Sequence, residues 1–361
     1  MGKKNSLYHR ILNIILRTFL AAAVIGVLVF MRKDQLRQCL AHFDYRWVIP
    51  AFLCLLFHIA VGAWRWRRLT ELQGFRLSLF EAYSLTMQGC FFSLVIPGGA
   101  IGGDVAKMGL LARRSTPGCR AEGIFTIFMD RVIGMIALFL LCIILLALSW
   151  KQLITLQVPG VEHSGNDILL CLILLFLMCL AGIVCGIAVF FHRKLKKIPG
   201  VTPLLNWIDR HTGNAASRMT AMADLYANSP GTLTMLTAVS IFFVHIMSML
   251  PMFFLLAGTG IEFTPQIILL TLTAVAIGNI AGLIPLTPGG IGLRDWTVIT
   301  LLGACGIGGG YGETAQLMAT GISVFTNLLG GIFLITDHNG ANKSTRKCNT
   351  IHEPDTVEHL P

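Results

Sequence analysis

Two short glycine-rich segments carry the residues best suited to chemistry, and both interrupt apolar stretches of the chain. They span residues 96–107 and 284–296. Each contains Pro-Gly-Gly, then further glycine, then an acidic residue with a cation beside it or three residues away. Proline ends a helix and glycine frees the backbone, so each segment is predicted to unwind and then restart a helix. A restarted helix presents unpaired N–H groups and the positive end of its dipole, which attract an anion such as phosphate.

Four charged residues accompany these breaks: Asp104 and Lys107 in the first, Arg294 and Asp295 in the second. A charge at the centre of a bilayer costs about 3 kcal/mol on insertion scales, so such residues normally face protein or a water-filled cavity. They are therefore predicted to line a polar space. Arg294 could hold a phosphate through two parallel hydrogen bonds. The alternative is that the glycines serve only close helix packing and that Arg294 and Asp295 form an interfacial ion pair.

A third polar feature is the pair Asp130 and Arg131 at the start of an apolar run. The pair either lines the same cavity or is interfacial, with the arginine reaching towards the membrane surface. The predicted substrate-binding residues are then Pro97, Gly98, Gly99, Gly102, Gly103, Asp104, Lys107, Asp130, Arg131, Pro288, Gly289, Gly290, Gly292, Arg294 and Asp295. No catalytic residue is predicted. No metal site or cofactor is predicted either, because the histidines and cysteines lack ligand spacing.

The elements that must position these residues are membrane helices. Hydrophobic residues make up 55% of the 361 residues and charged residues only 13%, with a mean hydropathy of +0.72. A stretch of 18 or more apolar residues is long enough to span a bilayer, and a backbone within lipid must satisfy its own hydrogen bonds as a helix. The apolar runs are residues 11–30, 132–150, 168–191, 233–257 and 266–286, followed by 316–335.

Basic residues predict how these helices are threaded, because short loops rich in Lys and Arg stay in the cytoplasm. Two basic segments, 65–76 and 107–120, flank the apolar stretch 77–101, so that stretch is predicted to enter and leave on the same face. For the chain to end in the cytoplasm, the number of membrane crossings requires a second hairpin, which enters from the opposite face. The fold class is therefore an all-α polytopic membrane protein with about six full spans and two re-entrant broken-helix hairpins in an inverted repeat, as in many transporters.

The predicted organisation is a single transmembrane domain over residues 1–337, containing a cytoplasmic basic loop at 192–232. Residues 338–361 form a polar tail that is predicted to be disordered. Both termini are predicted to be cytoplasmic. The net charge of +10 is accounted for by loop topology and attraction to anionic lipid, so nucleic acid is not predicted as a partner.

The three motifs together resemble the flippase-like family of the lysylphosphatidylglycerol synthase transmembrane region, over roughly residues 10–337. They are the Pro-Gly-Gly...Gly-Gly-Asp block at 97–107, Asp-Arg-Val-Ile-Gly at 130–134, and Pro-Gly-Gly-Ile-Gly-Leu-Arg-Asp at 288–295. Lys107 stands where the family pattern has arginine, and Asp295 where it has glutamate. The full synthases carry an additional soluble domain that transfers lysine to phosphatidylglycerol. The resemblance implies only the flippase-like part, in a bacterial or archaeal cytoplasmic membrane.

The leading functional hypothesis is a transporter that moves or binds an anionic, amino-acylated or polyprenyl-linked lipid headgroup. The alternative is a lipid-binding regulatory subunit of a lipid-modifying enzyme, without transport of its own. A membrane-embedded transferase or hydrolase using Asp104 or Asp295 is disfavoured, because no close carboxylate pair or nucleophile motif is visible. The expected partners are a membrane phospholipid or polyprenyl lipid and such a lipid-modifying enzyme. The sequence predicts no oligomeric state.

Overall fold

The computed structural model describes residues 33–96, 99–115, 119–155, 165–190, 215–284, 291–308 and 310–336, and these residues form helices and turns without any strand. A 3-10 turn, Tyr45–Trp47, precedes the second helix, and a π-helical stretch, Ser240–Ile246, joins the eighth to the ninth. The helices are α1 (Lys33–Ala41), α2 (Val48–Leu72), α3 (Leu79–Val95), α4 (Ala100–Arg114), α5 (Arg120–Leu153), α6 (Gly165–Phe190), α7 (Ala215–Ala227), α8 (Pro230–Val239), α9 (Met247–Gly258), α10 (Pro265–Ala281), α11 (Leu293–Ala304) and α12 (Tyr311–Thr336).

Five helical stretches among the described residues are long and apolar enough to cross a membrane. They are Tyr45–Leu72, Arg120–Leu153, Asp167–Phe190, Pro230–Gly258 and Tyr311–Ile335. The fourth is continuous through α8, the π stretch and α9. The predicted run at 11–30 lies outside the described residues. The all-α, polytopic membrane fold predicted from the sequence is therefore confirmed.

Two pairs of shorter helices form the predicted broken-helix hairpins. The first hairpin consists of α3 and α4, and the second of α10 and α11. Their lengths of 17, 15, 17 and 12 residues correspond to about 26, 23, 26 and 18 Å. Each is shorter than the hydrocarbon core of about 30 Å. None of these four helices is long enough to cross the hydrocarbon core by itself, as expected for the arms of a re-entrant hairpin.

Glycine permits the turns and the close packing of both hairpins. Gly99 precedes α4 with φ 56° and Gly292 precedes α11 with φ 101°, a region of backbone space that disfavours other residues. Within the first hairpin, a Cβ on Gly103 would lie 2.4 Å from the carbonyl oxygen of Gly89. Within the second, a Cβ on Gly278 would lie 2.3 Å from Val298. The two arms of each hairpin can approach only because these positions lack side chains.

The order of elements repeats. A long helix, a broken hairpin and a second long helix occur first as α2, α3/α4 and α5, and again as α8–α9, α10/α11 and α12. The two halves are interleaved, because α2 packs against α9, α5 against α10, and α3 against α12. Three long helices separate the hairpins along the described chain. Three crossings would place the hairpins in opposite orientations, which is the arrangement expected of an inverted repeat.

Residues 192–232, which the sequence analysis assigned to a basic loop, include helix α7 and the first residues of α8. Tyr226 at the end of α7 is fully buried and donates a hydrogen bond to the carbonyl of Leu69 at 3.1 Å. At the amino end of α7, Arg218 lies 3.6 Å from Glu122 of α5. The described part of this segment is thus packed against the ends of the long helices.

Candidate functional site

Charged residues of the first hairpin and α5 form one polar cluster. Arg131 on α5 and Asp104 near the start of α4 form a two-pronged ion pair, with Nη2 at 2.7 Å from Oδ1 and Nε on the other carboxylate oxygen. The Asp104 side chain is 15% exposed, whereas that of Arg131 is 49% exposed. The pair therefore joins the tip of the first hairpin to a long helix while leaving part of the guanidinium accessible.

Asp130, the neighbour of Arg131, faces a different partner. It accepts a 2.8 Å hydrogen bond from Nε of Arg65 on α2, whose Nη1 donates to Ser240 of the π stretch at 2.9 Å. Both charged side chains are largely buried. The sequence analysis counted Arg65 in a basic segment beside the first hairpin, and the structure places its side chain in a buried ion pair. Its partner on α5 is 65 positions away, so no local pattern could reveal the pair.

Lys107, one turn further along α4, is also buried. Its ammonium lies 3.5 Å from the centre of the Trp66 ring and donates to Thr86 at 3.2 Å. A cation over an indole face is stabilised by the ring quadrupole, more so when water is excluded. Lys107 thus fixes α4 against α2 and α3.

The second hairpin holds Arg294 and Asp295 at the start of α11. Asp295 is fully buried. One carboxylate oxygen accepts from the N–H of Gly292 at 3.0 Å, and the other accepts from Arg294, from Gln316 at 2.7 Å and from Thr320 at 2.8 Å. This carboxylate therefore anchors the hairpin tip to α12 and orients the guanidinium of Arg294 beside it.

A central cavity of about 360 Å³ lies between the two halves of the protein. Arg294 lines it and is the only Arg, Lys, Asp or Glu among its described lining residues. Its Nη1 forms no hydrogen bond with any described residue. Uncharged polar side chains complete the polar part of the lining: His58, His245, Ser248, Asn279, Gln316, Ser323, Thr326 and Asn327. The cavity therefore offers one cation surrounded by hydrogen-bonding groups.

Two histidines contribute to this lining. Nδ1 of His58 is buried and has no hydrogen-bond partner among the described residues. Nε2 of His245 lies 2.9 Å from the carbonyl oxygen of Gly134 on α5. Because a carbonyl only accepts, Nε2 carries the hydrogen, and Nδ1 of the neutral ring is an acceptor. The sequence analysis selected neither histidine as a site residue.

The predicted site residues thus fall into two groups. Asp104, Lys107, Asp130 and Arg131 surround the first hairpin, and Arg294 with Asp295 belongs to the second. No hydrogen bond or ion pair joins the groups within the described part of the chain. Gly99, Gly102, Gly103 and Gly292 shape the tips. Outside the described residues lie Pro97, Gly98, Pro288, Gly289 and Gly290.

The comparisons with known proteins bear on this arrangement. The sequence profile described as "Lysylphosphatidylglycerol synthase TM region" matches residues 14–331. The chain belongs to this family. A search of curated proteins found no match, and a search of solved structures found none.

The structure shows what Lys107 and Asp295, two residues of the family motifs, contact. Lys107 stands where the resemblance implied an arginine, and its ammonium contacts Trp66 and Thr86. Asp295 stands where the resemblance implied a glutamate, and its carboxylate reaches both the hairpin N–H of Gly292 and Gln316 of α12. In this chain both residues organise the hairpins. Among the residues of the three family motifs that the structure describes, Arg294 is the one that lines the central cavity.

Proposed function

We propose that this membrane protein binds the headgroup of an anionic, amino-acylated or polyprenyl-linked lipid in the central cavity and moves it between leaflets. The observation that carries the proposal is Arg294, the one Arg or Lys among the described residues that line the cavity, surrounded by hydrogen-bonding side chains. An arginine is suited to a phosphate because its planar fork matches two phosphate oxygens. A cavity of about 360 Å³ falls within the roughly 300–1,000 Å³ range of small-molecule sites.

The position of the cavity supports movement across the bilayer. Its lining comes from α2, α3 and α5 of the first half and from the π stretch, α9, α10, α11 and α12 of the second. A site at the interface of inverted repeats can be exposed to either side when one half rocks against the other. The headgroup would occupy the cavity while its hydrocarbon tails stay outside the cavity.

The first hairpin has a separate role in this proposal. Arg131 holds Asp104 from a partly exposed position, and an incoming phosphate could compete with the carboxylate for the guanidinium. Arg65, by contrast, is buried against Asp130 and Ser240 and would keep α2, α5 and the π stretch together during rocking.

The proposed orientation rests on the basic residues. Arg67 and Arg68 at the end of α2, Arg113 and Arg114 at the end of α4, and Arg120 at the start of α5 favour the cytoplasmic side. We therefore propose a bacterial or archaeal cytoplasmic membrane, with the termini of the chain in the cytoplasm.

The test is lipid movement in proteoliposomes. Fluorescent phosphatidylglycerol, its lysyl ester and phosphatidylcholine are compared, with a membrane-impermeant quencher reporting the leaflet. Arg294→Ala is expected to reduce the initial rate for the anionic lipid at least tenfold, because the cation that binds its phosphate is removed. Arg294→Lys is expected to give an intermediate rate, since lysine keeps the charge but not the fork.

The matched control is Arg218→Ala, which removes a surface arginine whose side chain is 58% exposed. Its rate should equal that of the wild type. Both alanine variants must elute as a single species in detergent before the rates are compared. If Arg294→Ala moves the anionic lipid at the wild-type rate, the cavity is rejected as the headgroup site.

A second function, lipid binding in support of a lipid-modifying enzyme, uses the same cavity. It is favoured if the purified protein retains the lipid in an Arg294-dependent manner but never moves it, and if the enzyme copurifies. The same proteoliposome and retention measurements therefore separate the two functions.

A further inference from the structure

A second large cavity, the apolar groove, lies on the outside of the helix bundle. It encloses about 650 Å³ between α5, α6, the end of α7 and α8. Its walls include Ile133, Ile136 and Leu140 of α5, Ile187 and Phe190 of α6, and Leu233 of α8. On α8 and the π stretch it runs from Pro230 to Ile241, about 17 Å of helix. That length is close to the roughly 15 Å depth of one leaflet's hydrocarbon.

The polar side chains of α8 in the groove satisfy themselves. Thr234 donates to the backbone carbonyls of Pro230 and Gly231, and Thr237 donates to that of Leu233. Neither hydroxyl therefore needs an acceptor on a guest molecule. The groove is therefore suited to a long, flexible hydrocarbon chain rather than to a polar molecule.

The groove and the central cavity share a wall. Along α5, Ile136 and Leu140 face the groove while Leu138 lines the cavity; along the π stretch, Ile241 faces the groove while His245 lines the cavity. The hydrogen bond from His245 to the Gly134 carbonyl crosses the seam between these helices. A π-helical stretch has weaker local packing than an α-helix and frequently marks a functional position.

We infer that the apolar groove holds one acyl chain of the anionic phospholipid whose headgroup enters the central cavity, with the seam between α5 and the π stretch as the boundary that the lipid crosses. The placement of the headgroup in this inference rests on the proposed function. The placement of an acyl chain in the groove does not. An anionic phospholipid is favoured by charge. Phe190 at the groove is followed within seven positions by Arg193, Lys194, Lys196 and Lys197.

The other described segments of this chain do not fill the groove. The described chain begins with α1, which packs against α12, a helix that contributes nothing to the groove. Helix α7 touches the groove only through its last residue, Ala227, and the following Asn228. Within a bilayer, acyl chains are the abundant apolar ligand, and they are the occupant that fits an apolar groove of this length.

The experiment is photolabelling in liposomes with phosphatidylglycerol that carries a diazirine on one acyl chain. The labelled positions are read by peptide mass spectrometry of the full chain. Residues 133–140 and 230–241 are expected to be labelled at least fivefold more than the lipid-facing residues Phe325, Leu328 and Ile332 of α12. Ala238→Trp, which fills the groove from α8, should lower that labelling at least fivefold.

The matched control is Met235→Trp, which places the same bulk on an exposed position of α8 outside the groove; it should leave the labelling unchanged. Should Ala238→Trp fail to fold, Thr234→Phe fills the same space. Equal labelling of all lipid-facing helices, or labelling that survives a filled groove, overturns the inference. So does preferential labelling by a photoreactive polyprenyl phosphate, since the occupant would then be an isoprenoid.

The result is separable from the headgroup proposal. Groove labelling without any Arg294-dependent lipid movement would remove the proposed function and leave the acyl-chain site. Arg294-dependent movement without groove labelling would do the reverse.

Discussion

Removing the buried carboxylate of Asp295 is expected to cost more stability than any other single charge change at the second hairpin. The side chain is fully buried and accepts hydrogen bonds from Gly292, Arg294, Gln316 and Thr320. Asp295→Ala would leave a cation and three polar donors without their acceptor. Breaking a buried ion pair by removing one partner costs about 3–5 kcal/mol. The additional unsatisfied donors place the expected loss near the upper end of that range.

The assay is equilibrium unfolding in mixed detergent micelles with increasing dodecyl sulfate, followed by circular dichroism. Asp295→Asn retains the shape and one acceptor oxygen, so it should cost about 2 kcal/mol, the value typical of losing charge from such hydrogen bonds. The control is Glu71→Gln, which removes a carboxylate paired with Arg67 and Arg68 at the end of α2. Partly exposed pairs of this kind contribute less than about 1 kcal/mol.

The contrast between the two carboxylates is what the measurement decides. If Asp295→Ala lowers the free energy of unfolding by no more than Glu71→Gln does, then Asp295 does not anchor the hairpin tip. The orientation of Arg294 towards the cavity would then need another explanation.

Two further predictions concern the first hairpin and its neighbours. Gly103→Ala should destabilise the protein by about 1–3 kcal/mol, because its Cβ would clash with the Gly89 carbonyl oxygen at 2.4 Å. The control Gly109→Ala, on the same helix, meets nothing within 4 Å and should stabilise the protein by about 0.5–1 kcal/mol. Equal effects of the two substitutions in thermal unfolding would contradict this packing. Arg65→Met should cost about 3–5 kcal/mol by leaving Asp130 buried and unpaired, and adding Asp130→Leu should restore much of the loss; an additive double mutant would refute a direct pair.

Much of the fold could be predicted from the sequence because membrane helices have a local signature. The long apolar run at 168–191 predicts a span within a few residues of α6, since a helix in lipid must be both apolar and long. The Pro-Gly-Gly segment near Gly99 predicts the break between α3 and α4, because proline and glycine act on the backbone where they stand. The family assignment followed from the same short motifs.

The partners of the charged residues could not be predicted in this way. Asp130 pairs with Arg65 across 65 positions, and Asp295 depends on Gln316 and Thr320 of another helix. Spacing within a helix gives no information about which helix lies opposite. Lys107 shows the same limit, since its contact with the Trp66 ring follows from how α4 packs on α2.

By itself, the sequence determined that this protein is a helical membrane protein with two interrupted helices, because hydropathy and backbone chemistry act over a single turn or a single span. Only the tertiary structure decided that Arg294 faces a cavity while Asp295 is buried behind it, and that an apolar groove lies beyond the cavity wall. Those features exist where helices from both halves meet, and the free energy of that packing depends on residues far apart in the chain.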